Sequence, residues 1–163
     1  MNTLGAAALM GATLTTAMVA GLLFCFAHLV MPGLATLDDR GYLTAFQRID
    51  AAIPNPWMMV TFLGSPVLTL AALVIQLTDD GPAVPWLALA LVLVAATVAI
   101  TAAVHLPLNA AVQAAAPQFS DAAGLRSRFE SRWVRWNVVR TTTSVGALAA
   151  LAWALFVSGR QGG

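Results

Sequence analysis

Lysine is absent from this chain, and charge of either sign is scarce. Only 9% of its 163 residues are charged, where a soluble domain carries roughly 25%, so a water-soluble globular fold is excluded. All eight basic residues are Arg and the formal net charge is +1, which offers no basic surface for nucleic acid and implies no acidic partner. Cysteine is nearly missing too. Cys25 stands alone, cannot close an internal disulfide, and in its apolar setting reads as a buried thiol. Histidine occurs twice, with neither an HxxxH nor an ExxH spacing, so no compact metal motif is written into the chain. There is no room for a second folded unit, and residues 1–163 read as a single integral membrane domain.

What is present is apolar. Hydrophobic residues make up 60% of the chain and the mean hydropathy is +0.82. Runs at about 4–31, 56–77, 85–106 and 137–158 each suit a bilayer core, which needs ~20 residues. The first is too long for the apolar region of a cleaved signal peptide and lacks a basic lead, so it reads as a retained span. The expected fold is therefore all-α, a four-helix transmembrane bundle with short interfacial helices in the first and third loops. Within the first span, Ala17 and Gly21 form a small-xxx-small pair suited to close packing. Gly21, Phe24, Cys25 and His28 share one face of it, and Pro32-Gly33 is expected to end it.

Residues 37–53 predict a short re-entrant or interfacial helix, capped by Asp38 or Asp39, with Leu43, Phe46, Gln47 and Asp50 along one side. Pro54-Asn55-Pro56 breaks it, and Asn55 is placed to cap the second span. Gly64 and Pro66 predict a kink or a close crossing there. Asp79-Asp80-Gly81-Pro82 is a polar turn, and Pro85 suits a first helical turn. Pro107 is expected to kink or end the third span. Residues 117–124 read as a polar loop, 125–136 as a basic amphipathic helix leading into the fourth span, and 159–163 as a disordered tail.

Arginine bias orients the bundle. Arg40, Arg48, Arg126, Arg128, Arg132 and Arg135 lie in loops one and three, against Arg160 alone on the other side. By the positive-inside tendency those loops face the cytoplasm and both termini face out, as expected in a bacterial inner membrane. Alternating the spans then gathers His28, Gln47, Asp50, Asn55, His105, Asn109, Glu130, Trp133, Asn137 and Arg140 at one end of the bundle. Polar groups converging on an apolar cavity mark a ligand or active site. The opposite end offers little besides Gln76, Asp79 and Asp80.

The densest stretch is Glu130 to Arg140, where Glu130, Trp133, Asn137 and Arg140 fall on one helical stripe. Asn137 and Arg140 enter the fourth span, where polar side chains usually carry a task. Arg126, Arg128 and Arg135 read as solvated or headgroup anchors, and Trp57, Trp86 and Trp153 as interfacial belts. Trp133 and Trp136 fit either a belt or a site. Asp50 beside Arg140 or Arg132 fits either chemistry or a structural ion pair. His28 and His105 read as interfacial histidines, or, with Glu130 or Asp50, as ligands of a metal ion.

His105-Leu106-Pro107-Leu108-Asn109 and Trp133-Val134-Arg135-Trp136-Asn137-Val138-Val139-Arg140 resemble the anthrone oxygenase-like family of small four-span membrane proteins. Pro107 and Asn109 match its N-x-P-x-N motif, and Trp133, Trp136, Asn137 and Arg140 its W-x-x-W-N-x-x-R motif. The Gly21-to-Pro32 stretch, Phe46 to Asp50, and Asn55-Pro56 are also similar. Three positions depart. His105 replaces the first Asn, Asp50 replaces the Asn of a Gln-x-x-Asn pair that begins at Gln47, and Val138 replaces a His. The imidazole has therefore either moved to another wall or the substrate has changed.

The resemblance implies oxygenation of an anthrone-type or quinone-like aromatic, without a dedicated cofactor. Asp50 or His105 would be the base. Arg140, Asn109 and Asn137 would hold the oxyanion, and Trp133 and Trp136 would stack on the ring. Phe24, Gln47 and Glu130 complete the expected substrate wall. The expected partners are a hydrophobic small molecule and the bilayer, with self-association left open. Two alternatives stand beside this reading. One is a non-catalytic protein that binds a lipid or small hydrophobe or serves as an accessory subunit. The other is a metal-dependent enzyme using His28, His105 and Glu130.

Overall fold

In the computed structural model, residues 2–160 are described, and the expected disorder of the tail falls partly outside them. Four helices are long and apolar enough to cross a membrane: α1 (Thr3–Ala35), α3 (Pro56–Thr78), α4 (Val84–Ala115) and α5 (Ala122–Gly159). A shorter helix, α2 (Asp39–Ala52), lies between the first two. The chain is a multi-pass integral membrane protein built as an all-helical bundle, as composition requires. α1 packs on α3 and α5, and α4 packs on α5 and α3, which closes a ring of four.

Three helix starts follow one recipe. Asn2, Asp38 and Asp121 each accept a hydrogen bond from the backbone N–H of a glycine three residues on, Gly5, Gly41 and Gly124, at 2.8, 2.7 and 2.9 Å. These side-chain caps satisfy N–H groups that a helix leaves unpaired. The glycine is needed at α2, since a Cβ on Gly41 would fall 2.6 Å from Asp38 Oδ1. Asn55 caps α3 through Met58 N–H at 3.1 Å, so its role is structural.

The helix end expected at Pro32 is not an end, and at Pro107, the site of an expected kink or end, the helix also runs on. Pro32 and Pro107 lie inside α1 and α4, which run on to Ala35 and Ala115. Each proline follows a π-helical turn, Phe26–Val30 in α1 and Thr101–His105 in α4. The backbone bonds there span five residues, Met31 N–H to the Phe26 carbonyl and Leu106 N–H to the Thr101 carbonyl. A wider turn takes up the local mismatch near a proline, which has no N–H to give, and such turns recur at functional sites. Both histidines sit in these turns.

The close helix crossing falls at Gly64, as expected, but not at Gly21. Gly21 is exposed, with open space where its Cβ would be. A Cβ on Gly64 would lie 3.2 Å from Thr15, and one on Gly11 would lie 3.0 Å from Leu68. Buried alanines carry the rest, Ala12, Ala72, Ala90, Ala147 and Ala154. Lipid is as apolar as leucine, so packing in a membrane rewards small residues that let backbones approach.

α5 holds 38 residues without a break, about 57 Å at ~1.5 Å per residue. That exceeds a hydrocarbon core of ~30 Å, so its first turns, which carry Arg126 and Arg128, extend beyond the core. α2 lies against this end of α5. Tyr42, Leu43 and Phe46 pack with Phe129 and Trp133 in an aromatic cluster with Phe26 and Met31, Phe46 standing edge-on to Phe129 at 4.6 Å and to Trp133 at 5.6 Å.

Candidate active site at the α2 end of the bundle

The stripe on α5 folds inward in three of its four members. Trp133, Asn137 and Arg140 are 2%, 1% and 8% exposed. Arg140 donates from Nε to Asn137 Oδ1 at 2.9 Å and from a terminal nitrogen to Thr101 Oγ1 at 3.3 Å. Its guanidinium carbon lies 5.3 Å from the centre of the Trp133 ring. Asn137 in turn donates to the Leu23 carbonyl at 3.3 Å, just before the π-turn of α1. These bonds join α5 to both π-turned spans.

Asp50 does not pair with Arg140 or Arg132. Its two carboxylate oxygens accept from Asn109 Nδ2 at 2.6 Å and Gln113 Nε2 at 2.8 Å. Asn109 Oδ1 then accepts the Trp133 indole N–H at 2.9 Å. A single relay therefore runs from α2 through α4 to α5. The two amides can reach Asp50 because α4 continues past Pro107. Gln47 enters through its backbone, its carbonyl accepting from Gln113 at 3.1 Å.

His105 is 1% exposed and stands edge-on to Trp133, ring centres 5.1 Å apart at 85°. Neither ring nitrogen has a hydrogen bond of good geometry, although backbone groups of Ile100 and Trp133 approach it. A buried imidazole left this way is costly. It shares the Trp133 indole with Arg140.

Glu130 turns away from this group. It accepts from Arg126 Nε at 2.7 Å, and Arg126 also reaches Asp39 at 3.2 Å. Arg126 further donates to the Leu37 and Ala35 carbonyls and lies 4.4 Å over the Tyr42 ring. The expected headgroup anchor is therefore a clamp that holds α2 and the end of α1 onto α5. Burial pushes the pKa of the Tyr42 hydroxyl well above the usual phenol range; Glu130 adds to the shift and Arg126 partly opposes it. Arg128 and Arg135 are exposed, as their anchoring role requires, and the Arg128–Asp121 pair at 3.6 Å is worth little in solvent.

The remaining candidates lie elsewhere. Trp136 is half-buried and joins none of these bonds. His28 is exposed on the flank, its ring 4.3 Å from that of Phe24. Among the described residues no three His, Cys, Asp or Glu side chains come together to hold a metal ion, so the proposed His28, His105 and Glu130 ligand set is not assembled. Glu130 is engaged by Arg126, and His28 faces outward while His105 faces in. Sequence reasoning missed Gln113 and Thr101. Gln113 follows Asn109 by four residues, on the same helical face, a signal that counts only if α4 continues past Pro107.

The fold and this buried polar set define a small four-span membrane protein with a polar cluster inside one end of its bundle. Residues 57–150 match the family model described as anthrone oxygenase, and since the match covers more than half of the chain, the chain belongs to that family. It takes in His105, Asn109, Trp133, Asn137 and Arg140, and leaves out α1 and α2. No curated protein and no solved structure matches the chain.

Proposed function

We propose that the protein is a membrane oxygenase acting on an apolar aromatic ketone of the anthrone kind, with Arg140 as the group that holds the developing oxyanion. The observation that carries this reading is the isolation of Arg140. It is buried inside a membrane span, and among the described residues no carboxylate pairs with it. A guanidinium stays charged and offers five N–H donors, of which the protein engages two. A buried unpaired cation is strongly unfavourable. An anion formed during the reaction would relieve it, so the site favours the ionised intermediate over the neutral substrate.

The chemistry then needs a base and oxygen. His105, whose ring nitrogens make no well-formed hydrogen bond, takes a proton from the ring CH₂, and the electron pair delocalises onto the carbonyl oxygen as an enolate held by Arg140. The carbanion carbon forms a C–O bond with dioxygen and, on taking up a proton, becomes a hydroperoxide. Loss of the second C–H proton with cleavage of the O–O bond gives the quinone carbonyl and water. Dioxygen is the oxidant throughout. Asp50 is less suited to be the base, since both its oxygens are already bound by amides. Trp133 supplies the apolar floor.

Oxygen uptake and quinone formation by purified protein with anthrone test the reading. Arg140→Leu should lower turnover about 10²–10³-fold, the cost of removing an oxyanion donor, with the detergent-solubilised fold intact because leucine suits the membrane. Turnover at the wild-type rate in Arg140→Leu would refute it.

A further inference from the structure

Arg140 is buried, whereas an open groove lies on the flank of the bundle. It has a volume of about 280 Å³ and is lined by Phe24, Ala27 and His28 of α1 and by Val138, Thr142 and Val145 of α5, with Thr141 at its wall. Ligand pockets begin at about 300 Å³. We propose that this groove is the docking site for a planar aromatic ketone or phenol dissolved in the bilayer, its ring beside Phe24 and its oxygen hydrogen-bonded to His28. The proposal rests on the reading of Arg140 above and assigns where that substrate first binds.

Three observations carry it. The groove opens sideways, since Phe24, Val138 and Val145 are 52%, 50% and 46% exposed, and it lies beyond Asn137, where α5 has turned apolar. His28 is exposed at this level and makes no hydrogen bond within the described protein; its one ring contact is Phe24, tilted at 46°. An imidazole on an apolar flank with no partner in the protein is free to bond a polar group of a ligand. Finally, the groove touches the buried set, because Thr141 at its wall bonds the Asn137 carbonyl at 2.7 Å and Asn137 bonds Arg140. A rigid ring bearing one oxygen meets both the apolar walls and the single imidazole. A lipid acyl chain would leave that imidazole unbonded.

The test is equilibrium binding to the full-length protein in lipid nanodiscs under argon, with empty nanodiscs subtracting partition into lipid. The probes are anthrone and anthracene, the same three rings without the oxygen. Wild type should bind anthrone saturably and more tightly than anthracene. Thr142→Trp, which fills the groove from a lipid-exposed position, should abolish saturable binding, and Val145→Phe serves if that variant fails to fold. His28→Phe keeps a ring but loses the polar partner. It should weaken anthrone by roughly 2- to 10-fold, the worth of one hydrogen bond, and remove the preference over anthracene. Arg140→Leu should bind anthrone as wild type does.

Unchanged anthrone binding in the filled variants, equal binding of the two probes to wild type, or loss of binding in Arg140→Leu each overturns the groove as a separate docking site. Full oxygen uptake by Arg140→Leu in air overturns the Arg140 reading instead. The two failures are thus distinguishable.

Discussion

Arg140 and Trp133 form a stacked pair at the membrane boundary, the guanidinium carbon 5.3 Å from the indole ring centre. In a span without a carboxylate for Arg140, the ring face is the nearest substitute for a counter-charge, and such contacts strengthen when water is excluded. The indole is itself fixed at its other side by its N–H bond to Asn109. The cation is therefore held in place without being neutralised, which suits a group that must receive an anion.

Arg140→Lys should separate charge from geometry. The ammonium keeps the charge but loses the planar fork that reaches Asn137 and Thr101 together. Turnover should fall at least roughly tenfold, a barrier increase of about 1.4 kcal/mol, while the melting temperature in detergent changes little. Equal losses of turnover and of folded protein would indicate a purely structural arginine.

Arg126→Leu should loosen α2 from α5. The side chain makes bonds to Glu130, Asp39, Leu37 and Ala35 while only 15% exposed, and a hydrogen bond to a charged group is worth about 1.5–3 kcal/mol. Amide hydrogen exchange should speed up across Asp39–Ala52, with the protection of α3 and the far half of α4 unchanged. Unaltered exchange in α2 would show that Tyr42, Leu43 and Phe46 hold it alone.

Asp50→Asn decides between the two candidate bases. An amide cannot accept from both Asn109 and Gln113 as the carboxylate does, so α2 should dock less firmly, by about 1–3 kcal/mol. Turnover should stay within roughly tenfold of wild type if His105 takes the proton, whereas loss of a general base typically costs 10²–10⁴-fold. A drop of that larger size, in protein that remains folded, would assign the base to Asp50.

Six of the eight arginines lie in the two loops at the α2 end. A reporter enzyme fused after Gly163 should therefore be active on the side opposite the cytoplasm. A cytoplasmic signal would mean that these arginines are placed for packing, as Arg126 is, and do not direct insertion.

The sequence by itself determined that four apolar runs span the membrane, that Asn55 caps the second, that Asp38 or Asp39 caps α2, and that Asn137 and Arg140 turn inward. These follow from local rules: apolar length, side-chain capping, and the spacing of one helical face. It placed the end of α1 at Pro32 and left open whether α4 continues past Pro107, because a π-turn is a shift in backbone bonding that composition does not announce. Partner choice was equally out of reach. Asp50 bonds Asn109 and Gln113, and Glu130 bonds Arg126, although charge alone favoured Arg140 for either carboxylate. Which donor lies nearest is decided by the docking of α2 across α4 and α5, and that depends on aromatic packing between residues up to about ninety positions apart, such as Phe46 and Trp133. The outward turn of His28 and the inward turn of His105 were settled the same way, by which helix face each wide turn presents to its neighbours.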